Sequence, residues 1–220
     1  IDKPQMLMYD FLFENNKNHL NEIAISYFGE KITFQKLFSK IDQCAMAFKN
    51  LGIKENDVVS LCMPTTPETV IAFYALNKIG AISNLIDVRK SEKDIEFCIN
   101  NVNSKMILVY DKLLPLVEKI KGKTSLERVV AVSPLASLKK YKQIIAKLVD
   151  LIKNQSFNSK LKEMNWEDFI QYGNFGKIAE KAKYYLNRVA FITYTSGTTG
   201  FPKPVKLSND TANGRVNQYM

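Results

Sequence analysis

The chain has 220 residues, 46% of them hydrophobic, and its 31 basic and 22 acidic side chains leave a formal net charge of +9. That much apolar material is ample for a packed globular core; no run approaches the ~20 uninterrupted apolar residues of a membrane-spanning helix, and the start Ile1-Asp2-Lys3-Pro4-Gln5 lacks the basic-then-apolar pattern of a leader. The single histidine, His19, in a polar stretch near the start, excludes paired-histidine chemistry and leaves a Ser-His-Asp triad almost nothing to use, and the scattered Cys44, Cys62 and Cys98 suggest neither a disulfide framework nor a metal cluster, so a reducing, cytoplasmic setting is expected.

Thr33-Phe34-Gln35-Lys36-Leu37 opens a helical pattern with apolar positions at Leu37, Ile41, Cys44, Ala45 and Phe48, closing near Leu51-Gly52. Asp57 to Met63 predicts a short strand. Thr66 then stands at an N-cap with Pro67 at the first helical position, and the helix from Glu68 to Ile79 closes on Gly80. Ala81 to Ile86 is the next strand. Ser91-Glu92-Lys93-Asp94 approximates a capping box before a helix reaching Asn101, and Lys105 to Tyr110 reads as another strand. Strand and helix alternate, which predicts an α/β fold with a parallel β-sheet and helices on both faces.

From Arg128 the pattern continues with a strand at Val129-Val130-Ala131-Val132 and a helix with apolar positions Ile144, Ile145, Leu148 and Ile152. A short helix follows at Trp166 to Ile170, broken at Tyr172-Gly173-Asn174-Phe175-Gly176, with Trp166 expected to be a packing residue. Lysines and aromatic residues interleave between Lys139 and Lys183, a mixture that can signal nucleic acid. Asp150, Glu163, Glu167, Asp168 and Glu180 interrupt them and no arginine lies between Arg128 and Arg188. A solvated lysine-rich surface is therefore the better reading, and no nucleic-acid partner is expected.

Tyr194-Thr195-Ser196-Gly197-Thr198-Thr199-Gly200-Phe201-Pro202-Lys203 is entered from the apolar run Val189-Ala190-Phe191-Ile192 and followed by Val205-Lys206-Leu207, more strand than helix. Gly197 and Gly200 permit positive φ and close backbone approach, Thr195, Ser196, Thr198 and Thr199 add hydroxyl donors, and Lys203 adds a mobile charge, as a polyphosphate cradle requires. It is not the common nucleotide loop, which needs a glycine followed directly by lysine at the opening of a helix. The plain alternative, a glycine-rich hairpin turn without a ligand, is opposed by ten residues in pattern.

This strand-loop-strand cradle resembles the phosphate-binding signature of the adenylate-forming (AMP-binding) superfamily, which contains acyl-CoA synthetases, luciferases and peptide-synthetase adenylation domains. A second similarity lies upstream, in the order and spacing of Leu51 to Val59, Pro64-Thr65-Thr66-Pro67-Glu68 and Gly80-Ala81-Ile82. Together the two cover roughly Ile23 to Asp111 and Val189 to Asp210. Two positions depart from the family pattern. A glycine usually stands where this chain has Pro204, which lacks a backbone donor and restricts Lys203, and a histidine commonly stands at Asn209, whose amide forms hydrogen bonds but does not titrate.

The resemblance implies that residues 1–220 are part of an N-terminal AMP-binding domain, truncated before its remainder and before the C-terminal domain. It implies a carboxylic acid attacking the α-phosphate of ATP, with Mg2+ accompanying the nucleotide, and a thiol of coenzyme A or of a carrier protein accepting the acyl group. Thr195, Ser196, Gly197, Thr198, Thr199, Gly200 and Lys203 would hold the ATP phosphates. The adenine and acyl pockets, the metal-binding glutamate and the catalytic lysine of that family lie downstream, so these residues alone are expected to fold but not to turn over. The alternative is a non-catalytic binding module with a degenerate loop.

Overall fold

The computed structural model describes residues 4–138, 163–173, 178–195 and 200–218. Helix α1 (Met8–Asn16) leads to an antiparallel hairpin of β1 (Ile23–Tyr27) and β2 (Glu30–Thr33), then helix α2 (Phe34–Asn50). Strands β3 (Val58–Cys62), β4 (Ile82–Leu85), β5 (Met106–Tyr110) and β6 (Arg128–Val132) alternate with helices α3 (Pro67–Lys78), α4 (Glu92–Asn100) and α5 (Leu114–Lys121). The described chain continues with β7 (Met164–Asn165), α6 (Trp166–Gln171), β8 (Val189–Thr195), β9 (Lys203–Ser208) and α7 (Asn209–Asn217).

Among the described residues, seven strands form one sheet in the order β7-β6-β5-β3-β4-β8-β9. Every neighbouring pair in it is parallel except β8 and β9, which are antiparallel. The expected parallel sheet is thus present, with one reversed strand at its edge where the glycine-rich loop turns the chain back.

Local sequence explains the regular core. Thr33 and Thr66 accept hydrogen bonds from the backbone N-H groups of Lys36 and Thr69, capping α2 and α3 where expected, and Ser91 does the same for α4 through Asp94. At the far end of α3, the Ala81 N-H donates to the Leu76 carbonyl and the Gly80 N-H to that of Asn77. This is a Schellman turn, and it needs Gly80 at φ +74°.

Alternation along β5 sorts the core into two layers. Met106 and Leu108 pack with α2, α3 and α6 through Ile41, Phe48, Leu76 and Phe169, while Ile107 and Val109 pack with α4 and α5 through Ile95, Cys98, Val117 and Ile120. Strands buried on both faces read as continuous apolar runs, as Met106 to Val109 does. Trp166 is a packing residue, nearly buried with its ring 5.5 Å from that of Phe169.

Several elements carry no local signal. Leu7, ahead of α1, offers no side-chain cap; instead Asn209 Oδ1 accepts from the Met8 N-H at 3.0 Å and Asn77 Oδ1 from the Tyr9 N-H at 2.9 Å. The β1–β2 turn places Phe28 at φ +47° and Gly29 at φ +81°, a primed-turn geometry usually flagged by Asn or Asp at the first position. The expected helix containing Ile144 to Ile152, and the break at Asn174 to Gly176, lie outside the described residues.

Candidate phosphate-binding site

Strand β8 is anchored at both ends by buried polar groups. At its start the guanidinium of Arg188, only 1% exposed, donates to the Gly80 carbonyl at 2.8 Å, the Lys183 carbonyl at 3.1 Å and the Glu55 carboxylate at 2.7 Å. These contacts satisfy a charge that would be costly to bury alone. At its end the Tyr194 hydroxyl faces Asn84 Oδ1 at 2.8 Å and the Cys98 carbonyl at 3.0 Å. Burial pushes the Tyr194 phenol well above its ordinary range, so it remains a donor.

Asn84 uses its whole amide there, donating to Ser60 Oγ at 2.9 Å and to the Cys98 carbonyl at 3.1 Å while its oxygen accepts from Tyr194. Ser60 in turn donates to Ser104 at 2.9 Å. This chain of bonds crosses the centre of the sheet from β5's entry to the last residues of β8.

Beyond Tyr194 the two strands face each other in register, Tyr194 against Pro204 and Thr195 against Lys203. Thr195 and Lys203 are both exposed. Gly200 has φ +97° with nothing within 4 Å of where a Cβ would stand, so open space borders the backbone at this point. The structure therefore brings together Thr195, Lys203 and the approach from Gly200. Ser196, Gly197, Thr198 and Thr199 lie outside the described residues. Pro202 is buried, and Phe201, though 53% exposed, stacks on Phe97 of α4 with centroids 4.8 Å apart and planes at 25°.

Pro204 sits on β9, the outermost strand, where a residue without an N-H is accommodated. Asn209 is fully buried and its role is structural. Besides capping α1, its Oδ1 accepts from Asn77 Nδ2 at 2.8 Å and its Nδ2 donates to the Arg188 carbonyl at 3.0 Å.

Burial pushes the thiols of Cys62 and Cys98 up to about 12 and about 11, and that of Cys44 well above its usual value, so none is an activated nucleophile. His19 is exposed beside Glu22, at 2.7 Å. Among the described residues no group of three His, Cys, Asp or Glu side chains could hold a metal ion, and no helix is long and apolar enough to cross a membrane. Among the described loop residues, Thr195 brings a hydroxyl and Lys203 an ammonium to the mouth of the loop, groups that suit phosphate oxygens.

The residues that tie the loop to the sheet, Asn84, Phe97 and the Cys98 carbonyl, were invisible in sequence terms. Tyr194 lay inside the motif, but only the fold gives it partners.

Comparison with known proteins identifies the family and the fold. The long-chain-fatty-acid–CoA ligase of Bacillus subtilis (strain 168) is 24% identical over 218 residues, covering 94% of this chain and 37% of that protein. An acetyl-coenzyme A synthetase of Methanothrix thermoacetophila is 28% identical over 205 residues, covering 84% of this chain and 28% of that protein. The chain thus spans roughly a third of the length of such relatives. Two solved structures share the fold: an anthranilate CoA ligase in complex with anthranoyl-AMP, with TM-score 0.77 and 21% identity over 96% of this chain and 36% of that one, and a long-chain-fatty-acid-CoA ligase from Archaeoglobus fulgidus, with TM-score 0.75 and 18% identity over 100% of this chain and 40% of that one. The family model described as AMP-binding enzyme matches residues 12–219, and the chain belongs to that family.

Proposed function

We propose that this chain is the phosphate-holding portion of an acid:CoA ligase that forms AMP. The observation that carries the reading is the pairing of Thr195 with Lys203 across the mouth of the loop, with Gly200 at positive φ beside open space, in a chain of the AMP-binding enzyme family. The names of the relatives, which include fatty-acid and acetate CoA ligases, support a carboxylic acid as substrate and favour coenzyme A over a carrier-protein thiol.

In the proposed reaction a carboxylate oxygen forms a bond to the α-phosphorus of ATP. The bond from that phosphorus to the bridging oxygen breaks, and pyrophosphate leaves with the electron pair. A thiol then attacks the acyl carbon, the bond from that carbon to the AMP oxygen breaks, AMP departs with the electron pair and the thiol gives up its proton to solvent. Charge builds on the leaving pyrophosphate, and preorganised hydroxyl and N-H donors with a lysine stabilise it without proton transfer. Ser196, Gly197, Thr198 and Thr199 are assigned to the same cradle as Thr195, Gly200 and Lys203. Mg2+, bound with ATP, would supply further neutralisation of the phosphates. The catalytic lysine implied by the resemblance lies outside these residues, so they are proposed to be inactive alone. The buried free thiols suit a reducing, cytoplasmic compartment.

The test is pyrophosphate release by the full-length protein with short, medium and long acids, together with isotope exchange between pyrophosphate and ATP. At least one acid is expected to give both. Absence of both with every acid, with the C-terminal domain intact, would replace this reading by the binding-module one.

A further inference from the structure

Helix α4 touches the loop at both described ends with two adjacent residues. The Cys98 carbonyl shares with Asn84 Oδ1 the single proton of the Tyr194 hydroxyl, one residue before Thr195, and the Phe97 ring stacks on Phe201, two residues before Lys203. Thr195 and Lys203 are partners in the strand ladder, so a single helix holds the chain on either side of the pair assigned above to the phosphates.

The opposite face of α4 is fixed in turn. Ile95, Cys98 and Ile99 are buried in the layer between α4, α5 and the sheet, and Ser91 caps the helix. A half-exposed phenylalanine such as Phe201 would ordinarily sample several rotamers. Stacking at 4.8 Å restricts it, and the restriction passes to the backbone of Phe201 between Gly200, the residue with the greatest freedom, and the buried Pro202. The Tyr194 hydroxyl has a comparable effect on the other side, because its partner Asn84 is fully buried with all its hydrogen bonds committed.

We propose that Tyr194 and the Phe97–Phe201 pair are positioning residues for the ATP phosphates, with α4 as the brace that sets where Thr195 and Lys203 stand. The proposal rests on the acid-activating reading for its effect on ATP, but the mechanical link is independent of it. None of these three side chains is assigned contact with substrate; each acts through the backbone of the loop.

The experiment uses the full-length protein and four variants: Phe97→Ala, Phe97→Tyr, Phe201→Leu and Tyr194→Phe. Two quantities are read, amide hydrogen exchange over residues 200–203 and the KM for ATP with acid held saturating. Losing a ring contact or a buried hydrogen bond should raise the ATP KM by about three- to tenfold. The KM for the acid should stay unchanged, exchange over 200–203 should accelerate, and Phe97→Tyr, which keeps the stack, should restore both. Tyr194→Phe also leaves Asn84 short of a partner, so its urea midpoint is measured, and the surface pair Phe97 and Phe201 supplies the test if that variant unfolds. Unchanged exchange over 200–203 in Phe97→Ala and Phe201→Leu would overturn the brace. Accelerated exchange with an unaltered ATP KM would overturn its role in positioning phosphates. If no acid releases pyrophosphate, the acid-activating reading fails, while the exchange result still decides the brace.

Discussion

Replacing Asn209 by alanine tests whether this buried amide, at a position where the family commonly has histidine, is the clamp that docks α1. Its side chain makes hydrogen bonds with the Met8 N-H at 3.0 Å, Asn77 Nδ2 at 2.8 Å and the Arg188 carbonyl at 3.0 Å. Alanine removes all of them. The Arg188 carbonyl keeps a partner, because the Asn209 backbone N-H also donates to it at 3.0 Å. The Met8 and Asn77 donors do not. An orphaned buried donor costs about 1–3 kcal/mol, and the Met8 site is only partly buried, so a loss of about 3 kcal/mol is expected for the pair. Urea unfolding of wild type and variant gives the difference from the midpoints, provided the slopes agree. Hydrogen exchange should localise it, with the Met8 and Tyr9 amides losing protection before the sheet does. Asn77→Ala strips the Tyr9 N-H of its acceptor and belongs to the same network, so the double variant should lose less than the sum of the single ones. A loss under about 0.5 kcal/mol with Met8 and Tyr9 still protected would refute the reasoning, since surface substitutions alone stay within that range.

In the full-length protein, on the proposed reading, Lys203→Ala should weaken ATP use by about 1.5–3 kcal/mol, the range for a hydrogen bond to a charged group; unchanged pyrophosphate release, with Gly197→Val inactive, would assign the phosphate site to the backbone alone. Gly80→Ala should destabilise by more than about 1 kcal/mol, because φ is +74° and a Cβ would stand 2.0 Å from Arg188 Nη2, whereas Gly122→Ala, at φ −67° with open space around it, should be neutral or slightly stabilising. A urea midpoint for Gly80→Ala equal to wild type would contradict the close approach. With Cys62 and Cys98 pushed up to about 12 and about 11, iodoacetamide at pH 8 should leave both unlabelled in the native state and label them after unfolding, as read by mass. These folded values lie above the ordinary thiol value of 9.0, so their contribution to stability is complete below that pH and is lost as pH rises toward 11 and 12; unfolding midpoints should fall over that window, and midpoints that rise would refute it.

The elements readable in the sequence are those whose ends are written locally. Thr66-Pro67 and Ser91 start helices through bonds to residues three positions on, Gly80 ends one by its own φ, and the run Met106 to Val109 declares a strand covered on both faces. The loop motif was legible for the same reason, since glycine, hydroxyl and lysine at short spacing state their chemistry without help from the fold. Helix α1 was not legible, because its first N-H groups are capped by Asn209 and Asn77, separated from them by 201 and 68 positions. The hairpin turn at Phe28 carries no sequence signal, because a phenylalanine holds the positive φ that Asn or Asp usually marks. Sequence likewise determined that Asn209 cannot titrate, while only the tertiary structure decided that it faces α1 and α3 rather than the loop. Tyr194 and Phe97 follow the same rule. A phenol or a phenyl ring carries no instruction about its partner, and the brace on the loop exists only because parallel pairing sets β8 beside β4, where Asn84 and the Cys98 carbonyl meet the Tyr194 hydroxyl.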